Sequence, residues 1–591
     1  MTGATVTLYA ASNNYGATPS PLATATSDGS GDFTLGYTPP TPGTTVLYVT
    51  AVGGTQGANT NANSAIGLSG VVGTAASPEP SVVINELTTV AHEWAMAQFT
   101  DTTGQYTGAP STNVIGLGNA AAQAQVNLAD VTSGNPASFW TTYNATEANC
   151  TSVSPPVNCD GLERMNTFAN ILAACIQSSG PSSSECTTLL GDTGTGSTTL
   201  QAAHYMATNP TASLVALFGL QGDSTYPFTP YLSTAPDGWE LALNLSPTGA
   251  NFSHPNSVAI DANGDAWVPN STGNTLTELT PSGALGANYT ASNPTGADFN
   301  DPVGVAIDPT GDVWVTNDGN TGTGANSLTE LVPGISPTAT VYDSSNASSA
   351  AFDGPYAIAI DTSGNAWVTN LSSDSVSELV PATLSSSVNY TNTSLSGADF
   401  SYPFAVALDD AVPANIWVTN LGGDSVTELT STGTLVGNYN NTSPAGAGFL
   451  VPDGIALDAA SNVWVPNFFG NSVTALTSGG ALFLAGNFDP LGADFDGPYG
   501  IAVDSGTNVW ITNSSGTNLT ELAATTGDFT ASFTPAGANF NSPFGIAIDE
   551  SGNIWITNNG GNSVAEFVGA ASPVLTPPVA CLSTANIVCK P

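Results

Sequence analysis

From residue 249 onward one pattern recurs seven times, and its period constrains the fold more than any other feature of the chain. Phe stands three residues before Pro at Phe252/Pro255, Phe299/Pro302, Phe352/Pro355, Phe400/Pro403, Phe449/Pro452, Phe495/Pro498 and Phe540/Pro543. Each Pro opens an apolar stretch such as SVAID or GIAID, ending at Asp261, Asp308, Asp361, Asp409, Asp458, Asp504 and Asp549. A turn follows, then a strand W-[VI]-[TP]-N with Trp267, Trp314, Trp367, Trp417, Trp464, Trp510 and Trp555. A third stretch such as TLTEL and a fourth before the next Phe complete the unit. Successive Asp residues lie 47, 53, 48, 49, 46 and 45 positions apart. Four short strands in that length are one blade of a propeller. A blade is apolar on both faces and buries them only between neighbours, so the array is expected to close into a seven-bladed ring over 238–570. Trp at a fixed register suits the core between blades. Asp before a Gly-containing turn suits a hairpin cap.

Closure is predicted as well. The seventh repeat supplies three strands (544–567) and then runs into proline-rich sequence, a tail at 571–591. Upstream, Trp239–Leu245 (WELALNL) reads as a fourth strand without its first three. Pairing 239–245 onto the seventh blade removes two open edges at once.

The N-terminal half reads differently. Residues 1–54 alternate like strands, with SDGSGDF as a hairpin turn. Residues 55–80, rich in Gly, Asn, Ser and Ala, read as a linker. Helical spacing begins at 84–99 and returns at 118–131, 160–178, 198–208 and 212–219, predicting a small α-helical domain over 81–222 and a second linker over 223–237. The expected class is multidomain and mainly β: a β-sandwich module, a helical domain and a seven-bladed β-propeller.

Charge excludes partners. Arg164 and Lys590 are the only Lys or Arg residues, against 45 Asp and Glu. Nucleic acids and anionic membrane surfaces both require cationic side chains, so neither is an expected partner. No apolar run reaches the roughly 20 residues of a membrane span. Six cysteines fall into three close pairs, Cys150/Cys159, Cys175/Cys186 and Cys581/Cys589. Local pairing is the simplest of their connectivities; three disulfides predict an oxidising, extracytoplasmic location, secreted or at the cell surface. Export requires a leader not seen at Met1, so Met1 is expected to mark a trimmed or incomplete N-terminus.

The repeat text P-x-G-[IV]-A-[IV]-D … G-N-x-W-[VI]-[TP]-N … N-S-[VL]-T-E-L, as in Pro543–Phe567, resembles the NHL-repeat family and within it the virginiamycin B lyase-like propellers of bacteria. Residues 1–54 resemble the carboxypeptidase-regulatory-like β-sandwich modules of exported bacterial proteins, with the first strand missing. The lyase resemblance implies elimination chemistry by histidine with a divalent metal. This chain carries His92, His204 and His254, of which His254 alone falls in the propeller, so no histidine pair can be carried over. His92-Glu93 resembles the start of H-E-x-x-H, but position 96 is Met, which leaves a helix-surface or half-buried histidine. No Ser-His-Asp constellation can be read from spacing.

The Asn three residues after each Trp (Asn270, Asn317, Asn370, Asn420, Asn467, Asn513 and Asn558), with the Asp set, would supply oxygen ligands to Ca²⁺, as similar gluconolactonase-like propellers do; turn chemistry accounts for such rings more simply. Function is sought where the repeat is broken. The residue after each Pro varies, and Asn256, Tyr356, Phe404, Asp453, Tyr499 and Phe544 are the candidate ligand contacts at the channel mouth, with Val303 the seventh of the ring. Plain packing of the loop above the channel is the competing account. Phe468-Phe469 and the longer loop Asp318–Asn326 are candidate partner contacts. The expected function is an exported, non-enzymatic propeller that binds a small polar ligand, glycan or protein. Two alternatives are a metal-dependent lyase or lactonase-type hydrolase in the channel, and a surface or filament subunit self-associating through the N-terminal module.

Overall fold

The computed structural model describes residues 1–56, 62–142, 160–194, 196–223, 227–319, 326–409 and 414–576. In the N-terminal part, strands β1 (Thr5–Ala10), β2 (Pro21–Thr26), β3 (Val46–Val52), β4 (Gly67–Thr74) and β5 (Ser77–Pro78) form one sheet in the order β2-β1-β3-β4-β5. Two expectations change here. Residues 67–74, read as linker, form strand β4, because small residues in GLSGVVGT let helices approach the sheet closely. A Cβ on Gly67 would lie only 2.9 Å from that of Leu200. The segment after the SDGSGDF turn, expected as the hairpin partner of the strand before it, is not a strand, and that strand, β2, pairs with β1 instead. Phe33, Leu35 and Tyr37 pack from it against the core.

Helix α1 (Glu86–Ala95) starts at Asn85, whose side chain caps Thr88 while Thr88 caps back, the reciprocal bonds of a capping box. Helix α2 (Val114–Gln123), α3 (Phe139–Thr142), α4 (Asp160–Gln177), α5 (Ser184–Asp192), α6 (Thr199–Thr208) and α7 (Leu214–Leu220) follow. Helices α1, α2 and α6 pack on β4. Sheet and helices share one apolar core, which continues through Trp239 and Leu243 into Trp555. Of the three expected bridges, Cys175–Cys186 is formed and links α4 to α5. The other two expected pairs, Cys150 with Cys159 and Cys581 with Cys589, lie outside the described residues. No described helix is long and apolar enough to cross a membrane.

The C-terminal part is a β-propeller, made of seven four-stranded antiparallel sheets. Each sheet runs first to fourth strand in chain order, except that Ala242–Leu245 supplies the outer strand of the sheet begun by Pro543–Ile548. Leu243 sits opposite Glu566 there, as the orphan strand predicted. The seven first strands contact one another in cyclic order, the last against the first. All seven repeat Trp side chains are buried. Each interblade core joins one blade's Trp to the next blade's Phe-containing loop, as Trp314 with Phe352 and Ile358. The repeat Asp caps its turn as expected: Asp308 Oδ1 accepts the amides of Thr310 and Asp312, and in five blades the other oxygen accepts the Trp indole N–H, as from Trp314 at 3.2 Å.

The helices meet the ring at its Asp-turn end. Asn113 donates to the Glu550 carbonyl, Asn119 to that of Asn263, and Ser551 to that of Gly116. The opposite end, where each first strand begins at Pro, carries the candidate ligand residues.

Candidate functional site

A backbone device repeated around the ring presents the variable side chains. In the second strand of most blades, the Thr of W-[VI]-T-N has its hydroxyl between two blades. Thr316 accepts the Gly304 amide of its own blade at 2.7 Å and donates to the Tyr356 carbonyl of the next at 2.6 Å. Thr369 does the same between Ala357 and Phe404, and Thr512 between Gly500 and Phe544. The residue after Pro is thus held by its main chain, and its side chain can vary without loss of the ring. The residue before each Pro is left-handed in all seven blades, including β-branched Val451 at φ 54°, a conformation unfavourable for that side chain. Its carbonyl accepts the amide that follows the repeat Asn, as Phe468 N–H donates to the Val451 carbonyl at 3.0 Å.

Two blades depart from this device. Pro269 and Pro466 replace the Thr, and the first strands shrink to Ala259–Ile260 and Ala456–Leu457. These blades carry the two polar members of the candidate set, Asn256 and Asp453, whose amides bond the carbonyls of Pro269 and Pro466 at 3.1 Å each.

The structure brings four of the predicted residues into one aromatic group. The Tyr356 and Tyr499 hydroxyls meet at 2.9 Å, although they come from the third and sixth blades. Phe404 lies 4.3 Å from the Tyr356 ring and 5.8 Å, edge-on, from Tyr499. Phe544 stacks on Tyr499 at 4.4 Å. Asp453 is 4% exposed, and no hydrogen bond to its carboxylate is found among the described residues. Burial pushes its carboxyl up to about 8. Burial also raises Tyr356 to about 12 and Tyr499 well above the usual phenol range, with the Asp453 charge adding to both. Asn256 stands apart from the ring stack, and its side-chain oxygen accepts from Asn559 at 3.3 Å. Val303 is buried. At the same end of the ring Phe468 packs edge-on against Phe469, which is 68% exposed. Most of the Asp318–Asn326 loop lies outside the described residues.

The Asn ring is placed inside the blades. All seven side chains are buried; Asn270, for example, donates to Thr275 and Thr277 at 3.1 and 2.9 Å. Each amide thus ties the second strand to its own blade.

Carboxylates that spacing did not single out as a group come together elsewhere. Asp308, Asp312 and Glu330 place one oxygen each within 4.8 Å of one another on the second blade. The first blade has Asp261, Asp265 and Glu278 at the same repeat positions without meeting that distance; burial, then the two neighbouring charges, raises Asp265 to about 7. Other blades have Asn at this position, as Asn462, which donates to Asp458 at 2.9 Å. Of the six third-strand glutamates, four accept a Tyr hydroxyl from the fourth strand: Glu278 from Tyr289, Glu330 from Tyr342, Glu378 from Tyr390 and Glu428 from Tyr439. Glu566 accepts instead from Gln123 of α2. Glu521 faces a blade with Phe533 in the Tyr place, and burial pushes it up to about 8.

The histidine expected as half-buried is fully buried. His92 Nδ1 lies 2.8 Å from both Ser69 Oγ and Glu93 Oε1, and His204 Nδ1 is 3.2 Å from Glu93 Oε2. Spacing gave no sign of this Ser-His-Glu group, since Ser69 comes from β4. It is enclosed between sheet and helices, where it orders the interface. His254 is exposed at the Pro end, with its amide bonded to Asn562. A cavity of about 210 Å³ in the N-terminal part, lined by Phe33, Leu68, Gln56 and Glu86 among others, contains none of the predicted site residues.

No protein-family model matches the chain, and no curated protein matches it. Among solved structures, a streptogramin B lyase is similar over 56% of this chain and 97% of its own, at 20% identity and TM-score 0.44. The virginiamycin B lyase of Staphylococcus aureus is similar over 56% and 98%, at 19% identity and TM-score 0.44. The WD40 propeller domain of Doa1 is similar over 55% and 94%, at 8% identity and TM-score 0.42.

Proposed function

We propose that this chain is an exported, non-enzymatic binding protein whose closed seven-bladed ring presents one small-ligand site at the Pro end of its central channel. The observation that carries this reading is the meeting of Tyr356, Phe404, Tyr499 and Phe544, from four blades, beside Asp453. Plain packing would repeat one apolar residue around the ring, as the Trp set does. Here the main chain is held alike in five blades and the side chains differ, which is how a scaffold carries a binding site. Aromatic faces and phenol hydroxyls suit the apolar and polar sides of a sugar ring or a comparable small molecule. The helices contact the other end of the ring, so they act as a platform, and the Cys175–Cys186 disulfide fits an oxidising compartment.

The test is calorimetric titration of the full chain with a panel of glycans and aryl glycosides. Saturable binding that Tyr499→Ala weakens about tenfold or more, with Phe469→Ala nearly unchanged, is the expected result; a tenfold loss is about 1.4 kcal/mol. Binding that responds to Phe469→Ala and ignores Tyr499→Ala would move the site off the channel.

A further inference from the structure

The buried carboxylate of Asp453 lies close enough to Tyr356 and Tyr499 for its charge to act on both phenols. Transfer of an ionised carboxylate out of water is costly unless it is paired or hydrogen-bonded. Most other buried acids of the chain have partners of this kind. Glu240 holds Arg164, Asp549 accepts Trp555 and Asn553, and Glu93 lies between two histidines. Asp453 has none among the described residues, although it is more than nine-tenths buried. Its backbone is held by the Pro466 carbonyl and the Thr419 hydroxyl.

We propose that the channel-mouth site recognises an organic cation, an ammonium group on an apolar or aromatic body, with Asp453 as its counter-ion and Tyr356, Phe404 and Tyr499 as its aromatic wall. This rests on the reading of the channel mouth as a binding site and names its ligand class. The chemistry favours an ammonium over the alternatives. A hard divalent ion takes six to eight oxygen ligands, whereas Asp453 is the one carboxylate among the seven residues that follow the repeat Pro. An anion would face that carboxylate and a chain whose formal net charge is −43. A neutral ligand would meet the protonated acid that burial favours and would draw nothing from its charge, whereas a cation gains from ionising it. An ammonium satisfies the carboxylate and the negative faces of the rings together. The excess of acid over the whole chain also concentrates cations near the mouth.

The probe is benzyltrimethylammonium, whose charge does not titrate, titrated into the full chain beside uncharged benzyl alcohol. Expected is saturable binding of the cation, about tenfold or more tighter than that of the alcohol. Asp453→Asn should remove most of this preference, while Asp528→Asn, which deletes one exposed charge on the sixth blade, should change it less than about twofold. Equal losses in the two variants would assign the effect to general charge and overturn the inference. Equal affinity of the cation and the alcohol for the unaltered chain would overturn it without any variant, so the test survives a failure of Asp453→Asn to fold. An aryl glycoside that still binds in a Tyr499-dependent way would then leave the binding site standing and this ligand class rejected. No saturable binding of cation, alcohol or glycoside would reject both.

Discussion

Arg164 shows how much one side chain can organise when it is the only arginine in the sequence. Its guanidinium donates to the Gly238 carbonyl at 2.6 Å, to Glu240 at 3.0 Å and to Asp237 at 2.6 Å. It thus fixes helix α4 to the segment that enters the closing strand. Removing one partner of a buried ion pair costs about 3–5 kcal/mol, because the other charge stays behind. Arg164→Met is therefore expected to lower the melting temperature sharply, with much of the loss recovered in Arg164→Met/Glu240→Leu; additive losses in a thermal melt would contradict it. The acids predict a pH effect of definite sign. Glu521 is held near 8, Glu550 and Asp265 near 7, each chiefly by burial. A carboxyl raised in the fold adds no penalty below its unfolded value, near 4.5 for Glu; destabilisation grows as pH climbs and levels off above the folded value. Glu93 and Asp237, which are lowered, act oppositely and only at more acid pH. The chain should melt higher near pH 5 than near pH 8, and Glu521→Gln should narrow that gap by roughly 2 kcal/mol or more. A flat profile would show these groups to be solvated. The four Tyr–Glu pairs were beyond reach of the sequence, since they join the third strand to the fourth across the sheet and no spacing within a strand marks them.

At the scale of elements, the closing strand and the Thr latches make testable claims. Ala242–Leu245 pairs with the third strand of the seventh sheet. Leu243→Pro, placed inside that pairing, breaks the ladder and clashes with its neighbours. It should destabilise by about 3 kcal/mol or more and raise amide exchange first along Ser563–Phe567; uniform exchange across the ring would argue that closure is not local. Thr316→Val removes a hydroxyl bonded on both sides, leaving the Gly304 amide and Tyr356 carbonyl without it, and should cost about 1–3 kcal/mol. The repeat strands, turns and orphan strand were legible because their apolar period and Asp and Pro punctuation are local signals. Strand β4 was not, since Gly and Ser within it serve close packing against α1 and α6, and in sequence they look like a linker. The fold of His92 onto Ser69 and of Glu566 onto Gln123 depends on contacts between distant segments, which spacing does not encode.

The whole molecule joins a platform of sheet and helices at one end of a ring to a variable side-chain set at the other. The candidate set was visible as the break in an otherwise regular repeat. Its assembly was not, because only the ring brings the third and sixth blades to hydroxyl contact. Nor could spacing indicate that Pro269 and Pro466 accompany the two polar members. The most direct measurement is a crystallographic screen of small aryl glycosides and aryl ammonium fragments against the full chain. The account predicts density for a bound fragment against Tyr499 and Phe404, within hydrogen-bond or ion-pair reach of Asp453. Fragments gathered at Phe468–Phe469 or in the N-terminal cavity, with the channel mouth occupied by water alone, would contradict it.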